Sequence, residues 1–480
     1  MTGAGADCCG TKGANGNGGY DLAVIGAGSA GFAAAIAAAE RGARVALIGH
    51  GTIGGTCVNV GCVPSKTLIR AAESVHQAAA ASRFGGIAGH VEITDWRATI
   101  AAKDELVAAL RQAKYIDLLP MYNTVGYREG RARLANGGVT VDGREMRAGK
   151  VIITTGASAA VPAIAGIEDV PYLTSTTALD LDRLPRSLLV IGGGYVGAEL
   201  AQMFARAGVH VTLVCRSRLL PDAEPEIGEA LTGYFRDEGI TVVDGARYEH
   251  IARGRAGVAL SLTKDGKTWR LDAEQVLVAT GRRPNTGGLG LDEAGVETTA
   301  NGGIRVDDRM RTSRAGTYAA GDVTGRDQFV YMAAYGARIA AENALDGDAR
   351  RYDASAMPAV VFTDPQVASV GLTEGAARAQ GIAARTSVLA LEHLPRALAA
   401  RDTRGLIKLV ADQAGRLIGA HILAPEGADS IQTAVLAIKH GLTVGDLADT
   451  IFPYLTTVEG LKLAAQAFDK DLTKLSCCAG

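Results

Sequence analysis

The sequence predicts an α/β fold built from two copies of a strand, glycine loop, helix and strand unit, followed by a smaller α+β domain. Three observations predict it. An apolar strand entering a glycine turn and a helix occurs at Leu22 and returns at Leu188. Each copy later closes with an apolar strand that stops on a glycine, at Gly156 and at Gly281. From about Met357 onward, strands and helices alternate without any glycine loop.

The first copy reads as a strand from Leu22 to Ile25, the turn Gly26-Ala27-Gly28-Ser29-Ala30-Gly31, a helix from Ala30 to Arg41 and a strand from Val45 to Ile48. Glycine at the first, third and sixth positions allows a tight turn and lets backbone N–H groups meet a pyrophosphate at the helix N-terminus. The unit is therefore of the Rossmann type. Its second strand departs from the pattern, because Ile48 is followed by Gly49-His50 where an acid would hold a ribose hydroxyl. Another group must bind that ribose.

The second copy has a strand from Leu188 to Ile191, then Gly192, Gly194 and Gly197 at the same spacing, a helix through Glu199 to Ala207 and a strand from Val211 to Val214. That strand runs on into Cys215-Arg216-Ser217-Arg218 in place of an acid. Two guanidiniums suit a dianionic 2′-phosphate, so the reading is NADPH over NADH. Cys215 reads as a small buried hydrophobe. The last stretch, with a strand from Leu406 to Val410 and a helix from Ile431 to Lys439, reads as an interface domain. The expected division is a disordered leader over 1–19, then 20–160, 161–285, 286–356 returning to the first domain, and 357–480.

A chain of 480 residues suits two to four domains. Its 62 glycines and low aromatic content, 5%, fit nucleotide-binding architecture. A formal net charge of −2 without long runs of one sign leaves no footprint for nucleic acid or an anionic membrane. Leu22 to Ile48 is apolar but interrupted by Gly26, Gly28, Gly31, Glu40 and Arg41, which excludes a membrane span. The first 19 residues carry no apolar signal region, so a cytoplasmic protein is expected.

The seven cysteines fall as Cys8-Cys9, Cys57 and Cys62, Cys215, and Cys477-Cys478. That is no secreted disulfide framework; redox or metal chemistry fits better. The eight histidines show no ligand spacing, and Cys8-Cys9 reads as part of a mobile terminus. The chemical centre is Gly54-Gly55-Thr56-Cys57-Val58-Asn59-Val60-Gly61-Cys62-Val63-Pro64-Ser65-Lys66. On a regular helix five residues separate two Cα atoms by about 7.5 Å along the axis. A disulfide reaches only about 7 Å. The helix must be distorted or barely begun, Gly61 supplies the freedom, and a nascent helix N-terminus favours thiolate.

From Tyr20 to its end the sequence resembles the pyridine nucleotide-disulfide oxidoreductases, in both glycine loops, the dithiol segment, Ala279-Thr280-Gly281-Arg282-Arg283-Pro284-Asn285 and Thr317-Tyr318-Ala319-Ala320-Gly321-Asp322. The resemblance implies a homodimer with shared active sites, FAD at the first unit, NADPH at the second, and hydride passing from NADPH through the flavin to the dithiol. It implies Cys62 as the thiol beside the flavin, Cys57 as the outward thiol, Lys66 paired with Glu199, and Asp322 on the ribityl chain. Thr56, Gly156 and Gly281 would complete the cofactor contacts.

Disulfide-reducing members place a histidine, held by a glutamate five residues later, to protonate the leaving thiolate. Here Tyr454 occupies the histidine position and Glu459 remains. A phenol of pKa about 10 is a poor proton shuttle. The terminal Cys477-Cys478 pair suits a soft ion of low coordination number. Together these features resemble the branch of the family that reduces mercuric ion, in a form without an N-terminal heavy-metal-binding domain. The resemblance implies delivery of the ion from Cys477 and Cys478 of one subunit to Cys57 and Cys62 of the other, with Tyr454 and Tyr115 flanking the metal. Two alternatives stay open: reduction of a low-molecular-weight or protein disulfide, and a non-catalytic thiol metal carrier.

Overall fold

The computed structural model describes residues 19–255 and 257–471. Cys8, Cys9, Cys477 and Cys478 lie outside the described residues. The described residues form two compact units, one drawn from residues 19–59, 108–158 and 283–352, the other from residues 60–107, 159–255, 257–282 and 353–471.

In the first unit the strand Tyr20–Ile25 (β1) pairs in parallel with Val45–Gly49 (β2) on one side and with Arg144–Ile153 on the other. Leu22, Ala23 and Val24 are each 0% exposed, so β1 is covered on both faces, which is why it reads as an unbroken apolar run. The sheet continues outward from β2 to Val125–Glu129 (β3), and from Arg144–Ile153 to Thr317–Ala319. The helix Ser29–Ala39 (α1) lies against Val330–Asp346, and alanines such as Ala34, Ala38, Ala337 and Ala341 line their common core. Side chains this small let two helix backbones approach closely.

In the second unit Ser187–Ile191 and His210–Val214 are the inner strands of a parallel sheet flanked by Thr241–Val243 and Gln275–Val278. The helix Tyr195–Arg206 is buried along Ala198, Leu200, Ala201 and Phe204. The helix Cys62–Ala79 adds Leu68 and Ala72 to the same core, with Trp96 and Ile100 from the helix Trp96–Arg111. A separate antiparallel sheet runs in the order 358–361, 366–371, 417–424, 406–411, 385–390. The helices Gly427–Lys439 and Glu459–Gln466 complete its own hydrophobic core. Among the described residues no helix is long and apolar enough to cross a membrane.

Candidate functional site

The two glycine loops fold alike. Gly26 has φ +118° and Gly192 has φ +120°, conformations strained for any side chain. A Cβ on Gly31 would sit 1.7 Å from the Gly26 carbonyl oxygen, and one on Gly197 would sit 1.9 Å from that of Gly192. Each third glycine therefore lets the helix pack directly onto the turn. The helix starts are equally alike: Gly28 and Gly194 serve as N-caps without a side-chain cap, and neither first turn carries an acid. Two helix N-termini with unopposed partial positive charge fit two dinucleotide pyrophosphates. At Gly194 an added Cβ would meet nothing within 4 Å, leaving an open cradle beside that helix.

Around the first loop, Gly54 donates its N–H to the Ala27 carbonyl at 2.9 Å, and a Cβ on Gly55 would come within 2.6 Å of Gly28 Cα. The segment leading to Cys57 is thus laid against the phosphate loop. Tyr115 closes the other side, from a π-helical turn at Gln112–Ile116. Its hydroxyl lies 3.1 Å from Ser29 Oγ, and its ring meets Phe32 edge-on at 4.9 Å between centroids. Asp322 opens a 3₁₀ turn, Asp322–Thr324, after Gly321 at φ +77°. Gly156 and Gly281 both hold positive φ, at +72° and +116°.

Cys57 and Cys62 belong to different helices. Gly55–Val60 (α2) carries Cys57, half-buried, beside an exposed Thr56; Cys62–Ala79 (α3) begins with Cys62, exposed. Gly61 breaks the helix between them, with φ −130° and ψ −112°. This is the distortion that the five-residue spacing requires, and it puts Cys62 at the positive end of α3, where no acid occupies the first turn. Asn59, which the sequence reading passed over, holds α2 in place. Its amide donates to the carbonyls of Ile53 at 2.9 Å and Gly55 at 2.8 Å, and its oxygen accepts from Arg111 at 3.1 Å. An asparagine between two cysteines in a helix, where its propensity is poor, was the available signal.

In the second unit Lys66 Nζ donates to Glu199 Oε2 at 2.6 Å and lies 4.8 Å from the Phe362 ring centroid. The other Glu199 oxygen accepts the Phe362 N–H at 2.9 Å. Both carboxylate oxygens of a buried glutamate are therefore satisfied, which fixes the lysine head group. Arg216 and Arg218 part company. Arg216 is exposed. Arg218 donates to the carbonyls of Pro221, Ala223 and Glu224, at 2.8, 2.5 and 3.4 Å, and so staples its own loop. Cys215 is buried, and burial pushes its thiol up to about 11.

Tyr454 is 48% exposed. Glu459 accepts the backbone N–H of Leu455 at 3.2 Å, and burial raises its pKa above the usual carboxylate range. Leu455 sits at φ +60°. The carboxylate therefore steadies a strained backbone turn beside the tyrosine. Among the described residues no group of three or more His, Cys, Asp or Glu side chains is arranged to hold a metal ion.

Residues 20–341 match the family model described as pyridine nucleotide-disulphide oxidoreductase, and 357–465 match the dimerisation domain of that family. A mercuric reductase from Streptomyces lividans is 48% identical over 472 residues, covering 96% of this chain and 99% of its own. One from Shigella flexneri is 49% identical, covering 97% of this chain and 83% of its own. Among solved structures, the Cu(II) complex of the HOCl-induced flavoprotein disulfide reductase RclA from Escherichia coli superposes with a TM-score of 0.82 at 31% identity, over 94% of this chain and 99% of that one. LpdA from Mycobacterium tuberculosis gives 0.81 at 31%, over 93% and 99%. The fold is α/β, with Rossmann-type regions for FAD and NAD(P) and a separate C-terminal dimerisation domain.

Proposed function

The chain belongs to the pyridine nucleotide-disulphide oxidoreductase family of flavoprotein, NAD(P)H-dependent enzymes, and from that premise we propose that it reduces mercuric ion to elemental mercury with electrons from NADPH. The observation that carries the reading is Tyr454 in the histidine position, with Glu459 turned onto the backbone of Leu455. Reducing a disulfide takes two electrons and two protons, so the site needs an acid for the leaving thiolate. Reducing mercuric ion to the metal takes two electrons and no proton. A site that has lost its acid is suited to the second reaction. Relatives named mercuric reductase, alike over nearly the whole chain, support the same reading.

FAD held at the first glycine loop and NADPH held at the second would supply the two electrons for an ion bound at the dithiol. The chain's own residues do the rest. Mercuric ion arrives bound to thiols, is taken by Cys477 and Cys478 of the partner subunit in the homodimer, and moves by stepwise thiolate exchange to Cys57 and Cys62. It stays sulfur-bound throughout, while Tyr454 and Tyr115 flank the path. Neutral mercury has little affinity for thiolate and leaves, and both cysteines remain as thiolates. Lys66, fixed by Glu199, and Asp322 would hold the flavin, and Thr56, Gly156 and Gly281 would complete the cofactor contacts.

The test is NADPH oxidation by the FAD-loaded dimer offered mercuric ion, glutathione disulfide or lipoamide. Turnover should require mercuric ion, and replacing Cys477 and Cys478 by Ala should slow it when the ion is complexed by excess thiol. Turnover with a disulfide and none with mercuric ion would remove the proposal. The division of the arginines makes a second prediction. Arg216→Ala should raise KM for NADPH about ten- to a hundredfold, the worth of hydrogen bonds to a dianion, and leave kcat/KM for NADH unchanged. Equal losses with both coenzymes would place the 2′-phosphate elsewhere.

A further inference from the structure

In the first glycine-loop unit β2 ends on Gly49, where a carboxylate would hold the adenosine ribose. The side chain that occupies the space is on the neighbouring strand. A Cβ on Gly49 would come within 2.6 Å of the Tyr127 hydroxyl oxygen and 2.8 Å of Ala27 Cβ. The phenol has taken the volume that a strand-end acid needs, and glycine is what fits beneath it.

The register shows what came with it. β2 and β3 pair in parallel with Gly49 opposite Glu129, the last residue of β3. Tyr127, two residues earlier on the strand, points to the same face. Burial, and then the nearby carboxylate of Glu129, raise the Tyr127 pKa, so the phenol stays protonated and the Glu129 charge lies close to it. Glu129 itself is exposed at the strand end. An acid therefore stands one strand away from the position that lost one, at the same end of the sheet as the glycine loop.

We propose that Glu129 has taken over recognition of the adenosine ribose of FAD. Its carboxylate accepts the ribose 2′-hydroxyl, and Tyr127 acts as a positioning residue that fills the space above Gly49. The exchange swaps an acid on β2 for an acid on β3 and keeps a charged acceptor for the diol, the stronger kind of hydrogen bond. His50, exposed beside Gly49, is the competing candidate. The proposal rests on FAD binding at the first loop, which titration of the wild-type protein reports separately.

The full-length protein, stripped of flavin, is titrated by flavin fluorescence with FAD and with FAD carrying 2′-deoxyadenosine. Wild type should prefer FAD by about tenfold or more, the scale of one hydrogen bond to a charged group. Glu129→Gln should lose that preference, weakening FAD and leaving the deoxy analogue unchanged. Tyr127→Phe should show a smaller loss confined to FAD. Equal weakening of both ligands by Glu129→Gln, or no weakening, overturns the proposal. So does a 2′-hydroxyl-dependent loss that appears in His50→Ala instead. Failure of the wild type to bind either flavin would instead remove the FAD placement beneath it.

Discussion

Cys57→Ser and Cys62→Ser, made singly, are each expected to lower mercuric-ion-dependent NADPH oxidation by about a thousandfold or more while the protein keeps its yellow colour. In the proposed reaction each thiolate serves as metal ligand and as part of the electron route. A serine hydroxyl, hard and protonated at neutral pH, can do neither. Neither substitution disturbs packing, since Cys57 is only half-buried and Cys62 is exposed at the start of α3. Asn59 still clamps α2 from within the segment. Bleaching of the yellow colour by NADPH should therefore survive in both variants, separating loss of the metal step from loss of coenzyme binding. The measurement is paired: stopped-flow reduction by NADPH, and steady-state turnover with mercuric ion. A Cys57→Ser enzyme with more than a tenth of wild-type turnover would show that the ion is reduced elsewhere.

Gly31→Ala and Gly197→Ala should produce two different failures from nearly the same clash. In both, the added methyl meets a backbone carbonyl oxygen, at 1.7 and 1.9 Å. No side-chain rotation relieves it, so the helix must lift away from its turn. Misplacing binding groups by about 1 Å costs on the order of a hundredfold, here in the N–H groups aimed at the pyrophosphate. Gly31→Ala is expected to purify largely colourless. Gly197→Ala should stay yellow, be bleached by a chemical reductant and resist NADPH. Absorbance of the purified proteins, followed by the two reductants, reads the outcome. The reverse pattern would exchange the two nucleotides between the loops.

The paired loops were legible because glycine spacing is itself the constraint: the third glycine is required by a carbonyl five residues back, and both partners lie in one short stretch. Boundaries were less legible where glycine misleads. The second helix reads as passing through Glu199 to Ala207 but spans Tyr195–Arg206, because Gly194 is its N-cap and Gly197 lies inside it. The break at Gly61 followed from distance alone. What escaped was contact at long range. Tyr115 meets Ser29 across 86 residues, and no local pattern foretells it. Arg216 and Arg218 look equivalent in sequence, and only the loop that Arg218 folds around distinguishes them. Glu459 reads in sequence only by its spacing from Tyr454, and its bond to the backbone of Leu455 emerges only in the fold.

That bond from Leu455 to Glu459 also bears on what it costs a partner to dock against this stretch. Ile451, Tyr454 and Leu455 are all exposed, Ile451 at 94%, on a short stretch within the family's dimerisation domain. A flexible loop presenting such groups would lose chain entropy on docking, about 1–2 kcal/mol for each residue ordered. Here the turn is set in advance, left-handed residue included. A partner docking on this stretch would then have mainly side-chain rotamers left to freeze.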